Sequence, residues 1–542
     1  MKGRTPAVAA VSAFLSLFGI SQVYQNILFS KITPPSERAQ EAEWVATSRS
    51  WVDRKACSWF GLCGLAHLNK AAWSTPTGLS KTDDLGDSEK HRGVNLTAFW
   101  ESANVDPADW SEEERALRQI PDYVLEHAPY IHLYSGEKFW PCDIAEHLIH
   151  TTPHLNYTAL RAISDHPNLT NLNDLNKWGQ YVYLQSDDNV EDRPEWLGGK
   201  SNIPSIPDDS DPENWADWDE GARGRFKEDK QGEKEDWFSV GIGDTVDKGG
   251  IRRPSSASTG PVPIPTNTPE GEQLVYEDEK HWRPELIRRN PRHRGKKVVG
   301  GKSDAPVMLV VVPKDDGVVD AFFFFFYSYN LGNTVFNVRF GNHVGDWEHT
   351  VIRFQHGKPK AIFFSEHSFG EAYHWDAVEK IGNRPIGFSA SGSHAMYATP
   401  GLHPYILPGG ILHDQTDRGP LWDPLLNLKS YTYDYQRDIL RSSQLTPRAP
   451  TGWFYFLGHW GDKFYPLSDP RQYRFLGQYH YVDGPLGPRF KNLGRKRICQ
   501  GNNECILETR RYSRRLQPKH YPVVGEGERM SEEDTRRFVG PE

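Results

Sequence analysis

The run "VVDAFFFFFYSYN", residues 318–330, constrains this chain more than any other stretch. A half-buried strand alternates apolar and polar residues, because successive side chains point to opposite faces. Five consecutive phenylalanines, Phe322–Phe326, leave no wet face to alternate with. The run is also far too short to cross a bilayer as a helix. It reads as a central β-strand covered on both sides.

Its neighbours extend that reading. "APVMLVVV" (305–312), "TVFNVRF" (334–340), "WEHTVIRF" (347–354) and "KAIFFSEH" (360–367) are short runs rich in aromatic and β-branched residues. Gly, Asn, Asp or Pro separates them, and "RPIGFSASGSHAMYATPGLH" (384–403) and "GWFYFLGHWGDKFYP" (452–466) continue the pattern. Strands in series without alternating long helices argue for an antiparallel β-sandwich rather than a parallel α/β sheet. The fold class expected is therefore mainly β, with a helical N-terminal region and a long insertion. "WSEEERALRQIPDYVLEHA" (110–128) carries the strongest helical spacing, with acids at its front. "PYIHLYSGEKF" begins as a strand at 129 and turns at Ser135–Gly136.

Composition marks the segments that do not belong to this core. Aromatic residues make up 12% of the 542, while all hydrophobic residues make up 37%, so an aromatic core is diluted by polar stretches. Residues 186–303 turn to Asp, Glu, Pro, Gly and Ser, too polar to offset their ordering entropy, and most of them are expected to be a disordered insertion. At the N-terminus, Lys2 and Arg4 precede an apolar run, Ala7–Ile20, shorter than the ~20 residues of a spanning helix. Residues 1–29 are thus expected to direct the chain into the secretory pathway, as a cleaved signal peptide or as an uncleaved anchor that would associate it with a membrane. The net charge of −9 gives no basic face for nucleic acid, and none is expected as a partner.

Cysteines and sequons agree with an oxidising compartment. Cys57/Cys63 and Cys499/Cys505 are close pairs suited to local disulfides, which would leave Cys142 unpaired; five reduced thiols is the alternative. No C-x-x-C occurs, so a structural zinc site is not expected. Asn95, Asn156 and Asn168 stand in N-glycosylation sequons.

The stretch that promises chemistry is "GNHVGDWEHTVIRF" (341–354). In a strand beginning near Asp346, side chains of Asp346, Glu348, Thr350, Ile352 and Phe354 share one face, and Trp347, His349, Val351 and Arg353 the other. Carboxylates would then stand at the mouth of a sandwich above its core. His343 sits in a turn between Gly341 and Gly345, free to fold back towards both acids. One His with two carboxylates suits Ca²⁺, Mg²⁺ or Mn²⁺. The same acids could move protons instead, or could be no more than solvated residues at a strand end. His367 and His394, each ending an aromatic strand, join His349 and Trp347 as candidate ligand-binding residues.

"GNHVGDWEHTVIRFQHGKP", "SEHSFGEAY", "SASGSHAMYATPGLH", "WGDKFYP" and "GPLGPRFKNLGR" together resemble the fungal vacuolar protein sorting-associated protein 62 family. The resemblance covers about 119–185 and 304–506, which would be the two parts of the sandwich, between an N-terminal region (30–118) and a basic tail (507–542). It implies a cellular role in delivery to the vacuole and no particular chemistry. A shorter resemblance joins Gly341, His343, Asp346, Trp347 and Glu348 to the G-H-R-H-D-W-E heptapeptide of the necrosis- and ethylene-inducing-like proteins. Those secreted β-sandwiches hold a divalent cation through such residues and bind glycosylated sphingolipids. Gly345 stands where their second histidine would be, and Asn330 and Asn333 stand where an upstream acid is expected. "SEHSFGEAY" resembles their S-x-H-G-x-Y segment and adds His367.

These readings converge on a luminal or vacuolar protein, more binding module than enzyme, with a cation-dependent site for a lipid or glycan headgroup. Two alternatives stand beside it. A metal-dependent hydrolase would use Asp346 and Glu348, and a structural interaction protein would use its strand-end polar groups only to close loops.

Overall fold

The five phenylalanines lie in the strand Val318–Asn330 and are 0–1% exposed. Each contributes roughly 2 kcal/mol or more by leaving water. This computed structural model describes residues 42, 47–65, 67, 96–101, 106–160, 167–205, 215–217 and 297–509, with short breaks at 336–337, 368, 407–411, 476–477 and 502–504. Residues 1–29, nearly all of 206–296, the tail beyond 509 and Asn95 lie outside the described residues.

Val318–Asn330 is central to an eight-stranded sheet. The order is Ile439–Ser442, Leu428–Asp434, Val307–Pro313, Val318–Asn330, His343–Gln355, Lys358–Glu366, Phe369–His374 and Leu507–Glu508. Neighbours are antiparallel except at two places. Leu428–Asp434 runs parallel to Val307–Pro313, and Leu507–Glu508 runs parallel to Phe369–His374. A second, five-stranded sheet is built on Tyr130–His132, which pairs in parallel with Arg384–Ser389 and antiparallel with Leu421–Trp422.

Alternation along the central strand sorts its side chains between two cores. Phe323, Phe325 and Tyr327 face the second sheet, packing with Ile131, Leu133, Met396 and Trp422, as do Ile352 and Phe354 from the next strand. Phe322, Phe324 and Phe326 face the other way, with Trp347 and Val351, towards Leu148, Leu184, Trp453 and Trp460. The protein is thus mainly β, as its sequence implies, with sheet packed on sheet and a further layer of short helices and loops.

Three boundaries differ from the sequence reading. The helical stretch 110–128 is two helices, Glu112–Leu117 and Asp122–Glu126, because Pro121 lacks the N–H that a continuous helix needs. The strand before the carboxylates begins at His343, three residues earlier than expected. Order also extends beyond 185. Trp196 and Leu197 of the helix Glu195–Gly198 are 5% and 1% exposed, and Ser205 pairs with Lys302 through backbone hydrogen bonds of 2.9 and 2.7 Å. That pairing ties together the two flanks of the stretch 206–296.

Cys57–Cys63 and Cys499–Cys505 are disulfide-bonded and Cys142 is a buried free thiol. The second bond lies just before Leu507–Glu508, at the edge of the large sheet.

Candidate functional site

The strand His343–Gln355 carries Asp346 and Glu348 on the face turned towards the second sheet, one strand period apart. Both are nearly buried, at 6% and 4% exposure. Burial and the Asp346 carboxylate push the Glu348 carboxyl well above its usual range, against the pull of Lys491. Its Oε2 accepts a short hydrogen bond from the Ser365 hydroxyl, and that hydroxyl oxygen also accepts from the His349 backbone N–H at 2.8 Å. Asp346 Oδ2 lies 2.9 Å from His394 Nδ1.

His394 is wholly buried in the turn after Arg384–Ser389, in the left-handed region (φ +55°). Its ring stacks on Tyr327, with centroids 3.7 Å apart and planes 3° from parallel. Nε2 is 2.9 Å from the Phe139 carbonyl oxygen, so Nε2 donates and Nδ1 faces Asp346. Glu137 is 3.9 Å from this ring and fixes the surrounding loops, accepting from the backbone N–H groups of Lys138, Phe139 and Gly392.

A fourth acid completes the cluster. Asp414, on the strand Leu412–Thr416, accepts from Tyr397 Oη at 2.7 Å and Ser393 Oγ at 2.8 Å, and its Oδ2 is 2.8 Å from His367 Nε2. Burial alone would raise the Asp414 carboxyl, but His367 and the two hydroxyls outweigh it and hold it at about 2. Burial works against the protonated His367 ring as well, yet Asp414 and then Asp346 prevail and raise it. His367 is a partly exposed member, its side chain 35% accessible.

The sequence candidates therefore divide. Asp346, Glu348, His367 and His394 share one polar cluster. Trp347 and His349 lie on the opposite face of the strand, because odd and even positions alternate. Trp347 is 1% exposed among Phe326, Trp453 and Trp460. His349 is fully buried beside Phe322, Phe324 and Phe363, with Arg495 Nη2 3.3 Å from Nε2. His343 folds back on its own turn, its Nδ1 2.6 Å from the Gly345 carbonyl oxygen. Glu137, Tyr397 and Asp414 belong to the cluster without having stood out in the sequence, since each is brought in from a different element, while Ser365 and Ser393 enter it as the serines of the Ser-x-His and Ser-His pairs at His367 and His394.

Gly345 explains the missing second histidine. Its φ is +71°, and a Cβ there would sit 1.7 Å from the Trp460 carbonyl oxygen. The loop that packs against this strand leaves no room for a side chain.

As to a cation, no group of three or more His, Cys, Asp or Glu among the described residues is arranged to hold one. The trio His343, Asp346 and Glu348 is not assembled. Two of the three remain as neighbours, Asp346 and Glu348, and burial first, then the Asp346 charge, raises the Glu348 carboxyl. Chemically, the pair offers a carboxyl raised by its burial and a carboxylate hydrogen-bonded to His394, a set able to accept hydroxyl groups or exchange a proton.

Comparison with known proteins agrees with the vacuolar resemblance. The family model described as "Vacuolar protein sorting-associated protein 62" matches residues 263–422. The putative vacuolar protein sorting-associated protein TDA6 of Saccharomyces cerevisiae is 33% identical over 423 residues, 73% of this chain and 73% of that one. Vacuolar protein sorting-associated protein 62 of the same yeast is 30% identical over 414 residues, 73% of this chain and 71% of that one. Two solved structures, described as "Toxin fold for microbial attack and plant defense" and "NLPPya in complex with mannosamine", each overlap 28% of this chain and 64% of their own. Identity is 11% and the TM-score 0.15, which carries no argument about fold or ligand.

Proposed function

The chain belongs to the vacuolar protein sorting-associated protein 62 family, and from that membership we propose that it serves vacuolar sorting on the secretory route by binding a lipid or glycan headgroup. The binding element is the acidic cluster of Asp346 and Glu348, with a divalent cation (Ca²⁺, Mg²⁺ or Mn²⁺) held by the two carboxylates and bridging to headgroup oxygens. His367, the partly exposed member, is the residue of the cluster through which solvent reaches it, and in this reading it would meet the headgroup first.

One observation supports this reading above the others. Two carboxylates are buried one strand period apart, and Glu348 is driven towards its neutral form by burial and by its neighbour. A pair kept only to close loops would gain from being one acid and one amide, whereas a binding pair needs both charges when its ligand arrives.

Calorimetric titration of Ca²⁺, Mg²⁺ and Mn²⁺ into the metal-stripped protein tests it, beside folded Asp346→Asn. Binding heat in the wild type and none in the variant is the expected result, with flotation on glycosylceramide or acidic phospholipid vesicles that requires the same cation. No heat, no cation-linked gain in melting temperature and no flotation would leave a structural polar cluster. The hydrolase alternative uses the same two acids, so turnover of a glycoside or lipid-ester panel lost in Glu348→Gln would replace binding with catalysis.

A further inference from the structure

We propose that Asn156 carries an N-linked glycan in the mature protein, and that Asn168 does not. The two sequons have the same Asn-x-Thr chemistry, so the sequence does not rank them; their placement does. The inference rests on the secretory reading above, since the modification is made in the lumen.

Asn156 is the first residue of the two-residue turn between Thr151–Leu155 and Thr158–Ala159. It takes a left-handed conformation (φ +55°), which Asn tolerates better than most residues. Asn156, Tyr157 and Thr158 are all exposed, so the whole sequon lies open at the surface. The side-chain contact of the amide is Lys463 Nζ donating to Oδ1 at 2.7 Å, which leaves Nδ2, the atom that carries the sugar, out of that bond.

The surroundings also suit a sugar. Tyr157 is 46% exposed and Tyr181 60%, and the Asn156 backbone N–H donates to the Tyr181 carbonyl oxygen at 3.1 Å. Lys463 Nζ lies over the Tyr157 ring, 4.8 Å from its centroid, while the more exposed Tyr181 offers an apolar ring on which the C–H faces of the first sugars can rest.

Asn168 is built differently. It is half-buried between buried Pro167 and Leu169, and its Oδ1 accepts from the backbone N–H groups of Thr170 and Asn171 at 2.8 and 3.2 Å. Leu169 is fully buried, and its carbonyl oxygen accepts from Trp453 at 2.9 Å, so this turn is pinned to the core. A glycan there would sit on a half-buried side chain whose Oδ1 already closes a turn held against the core.

In the transfer, a bond forms between Asn156 Nδ2 and the anomeric carbon of a polyprenyl-diphosphate-linked oligosaccharide. The glycosyl–phosphate bond of that donor breaks, and the amide proton leaves with the departing diphosphate.

The full chain would be expressed in a yeast secretory host with its own N-terminus and, separately, behind a heterologous cleavable leader. Endoglycosidase-sensitive gel mobility is the readout. Asn156→Gln and Thr158→Ala should each remove one mobility step, Thr158→Ser should keep it, and Asn168→Gln should remove none. Retention of every step in both Asn156→Gln and Thr158→Ala, or loss of one in Asn168→Gln, would overturn the assignment, as would an insensitive chain behind the heterologous leader. Steps seen only with that leader would uphold the assignment at Asn156 while refuting the secretory reading of the native chain.

Discussion

Glu348 is the residue at which the candidate site can be tested without any ligand. Its carboxyl is raised by burial and by Asp346, so the folded state keeps a proton that the unfolded chain gives up near the ordinary glutamate range. The sign follows from that difference. Stability from this group is complete below the unfolded value and is lost as pH rises towards the folded one, by roughly 1.4 kcal/mol per pH unit traversed. Gln mimics the protonated form and can still accept from Ser365. In metal-free buffer, Glu348→Gln should match the wild type near pH 4.5 and exceed it increasingly towards pH 8 in urea unfolding; parallel curves would mean that Glu348 is ionised in the fold. At this scale the sequence was half legible. Period-two alternation alone puts Asp346 and Glu348 on one face. It could not place Ser365 or His394 beside them, because those contacts span 17 and 48 residues in sequence, nor Asp414 beside His367, which is 47 residues away.

At the scale of the element, the strand His343–Gln355 is shaped by what lies against it. Gly341 and Gly345 bracket His343 with φ of +81° and +71°, yet they differ in their surroundings. A Cβ on Gly341 would meet nothing within 4 Å, whereas one on Gly345 would collide with the Trp460 backbone. Gly341→Ala should therefore cost about 1–2 kcal/mol of left-handed strain. Gly345→Ala should cost about 3 kcal/mol or more, or prevent folding, as read by thermal and urea unfolding. Equal costs would show that conformation alone requires glycine at both positions. The Phe322–Phe326 run, by contrast, was legible as a doubly covered strand because it has no polar face to expose. Helix boundaries were less so: the apolar spacing of 110–128 masked the stop that Pro121 imposes.

At the scale of the whole molecule, a buried charge ties the C-terminal segment to the large sheet. Asp320, with a side chain 0% exposed, lies 2.6 Å from Lys314 Nζ and 2.7 Å from both Arg353 Nε and Nη2. Burial pushes its carboxyl up, but Arg353 and Lys314 prevail and hold it below the usual range. The same two cations donate to the carbonyl oxygens of Arg495 and Lys496, tying the C-terminal segment to the large sheet. Asp320→Ala leaves two half-buried cations without their anion and should cost about 2–3 kcal/mol, less than for a fully buried pair. The wild type should lose that advantage as pH falls through the depressed carboxyl range, since a lowered folded value stabilises only above the unfolded one. A variant losing less than about 1 kcal/mol would show that the backbone carbonyls suffice.

The sequence by itself determined the class of fold, the doubly buried central strand, the pairing candidates among the cysteines and the shared face of Asp346 and Glu348. Each of these follows from local periodicity or close spacing, which a chain carries wherever it is folded. Tertiary structure alone decided the rest. It separated His349 and Trp347 from the acids, brought His394 onto Asp346 and His367 onto Asp414, closed Gly345 against Trp460, and exposed Asn156 while burying the flanks of Asn168. Those outcomes depend on which distant elements share a sheet or a loop. Strand order is set by long-range packing between runs whose local patterns are nearly alike.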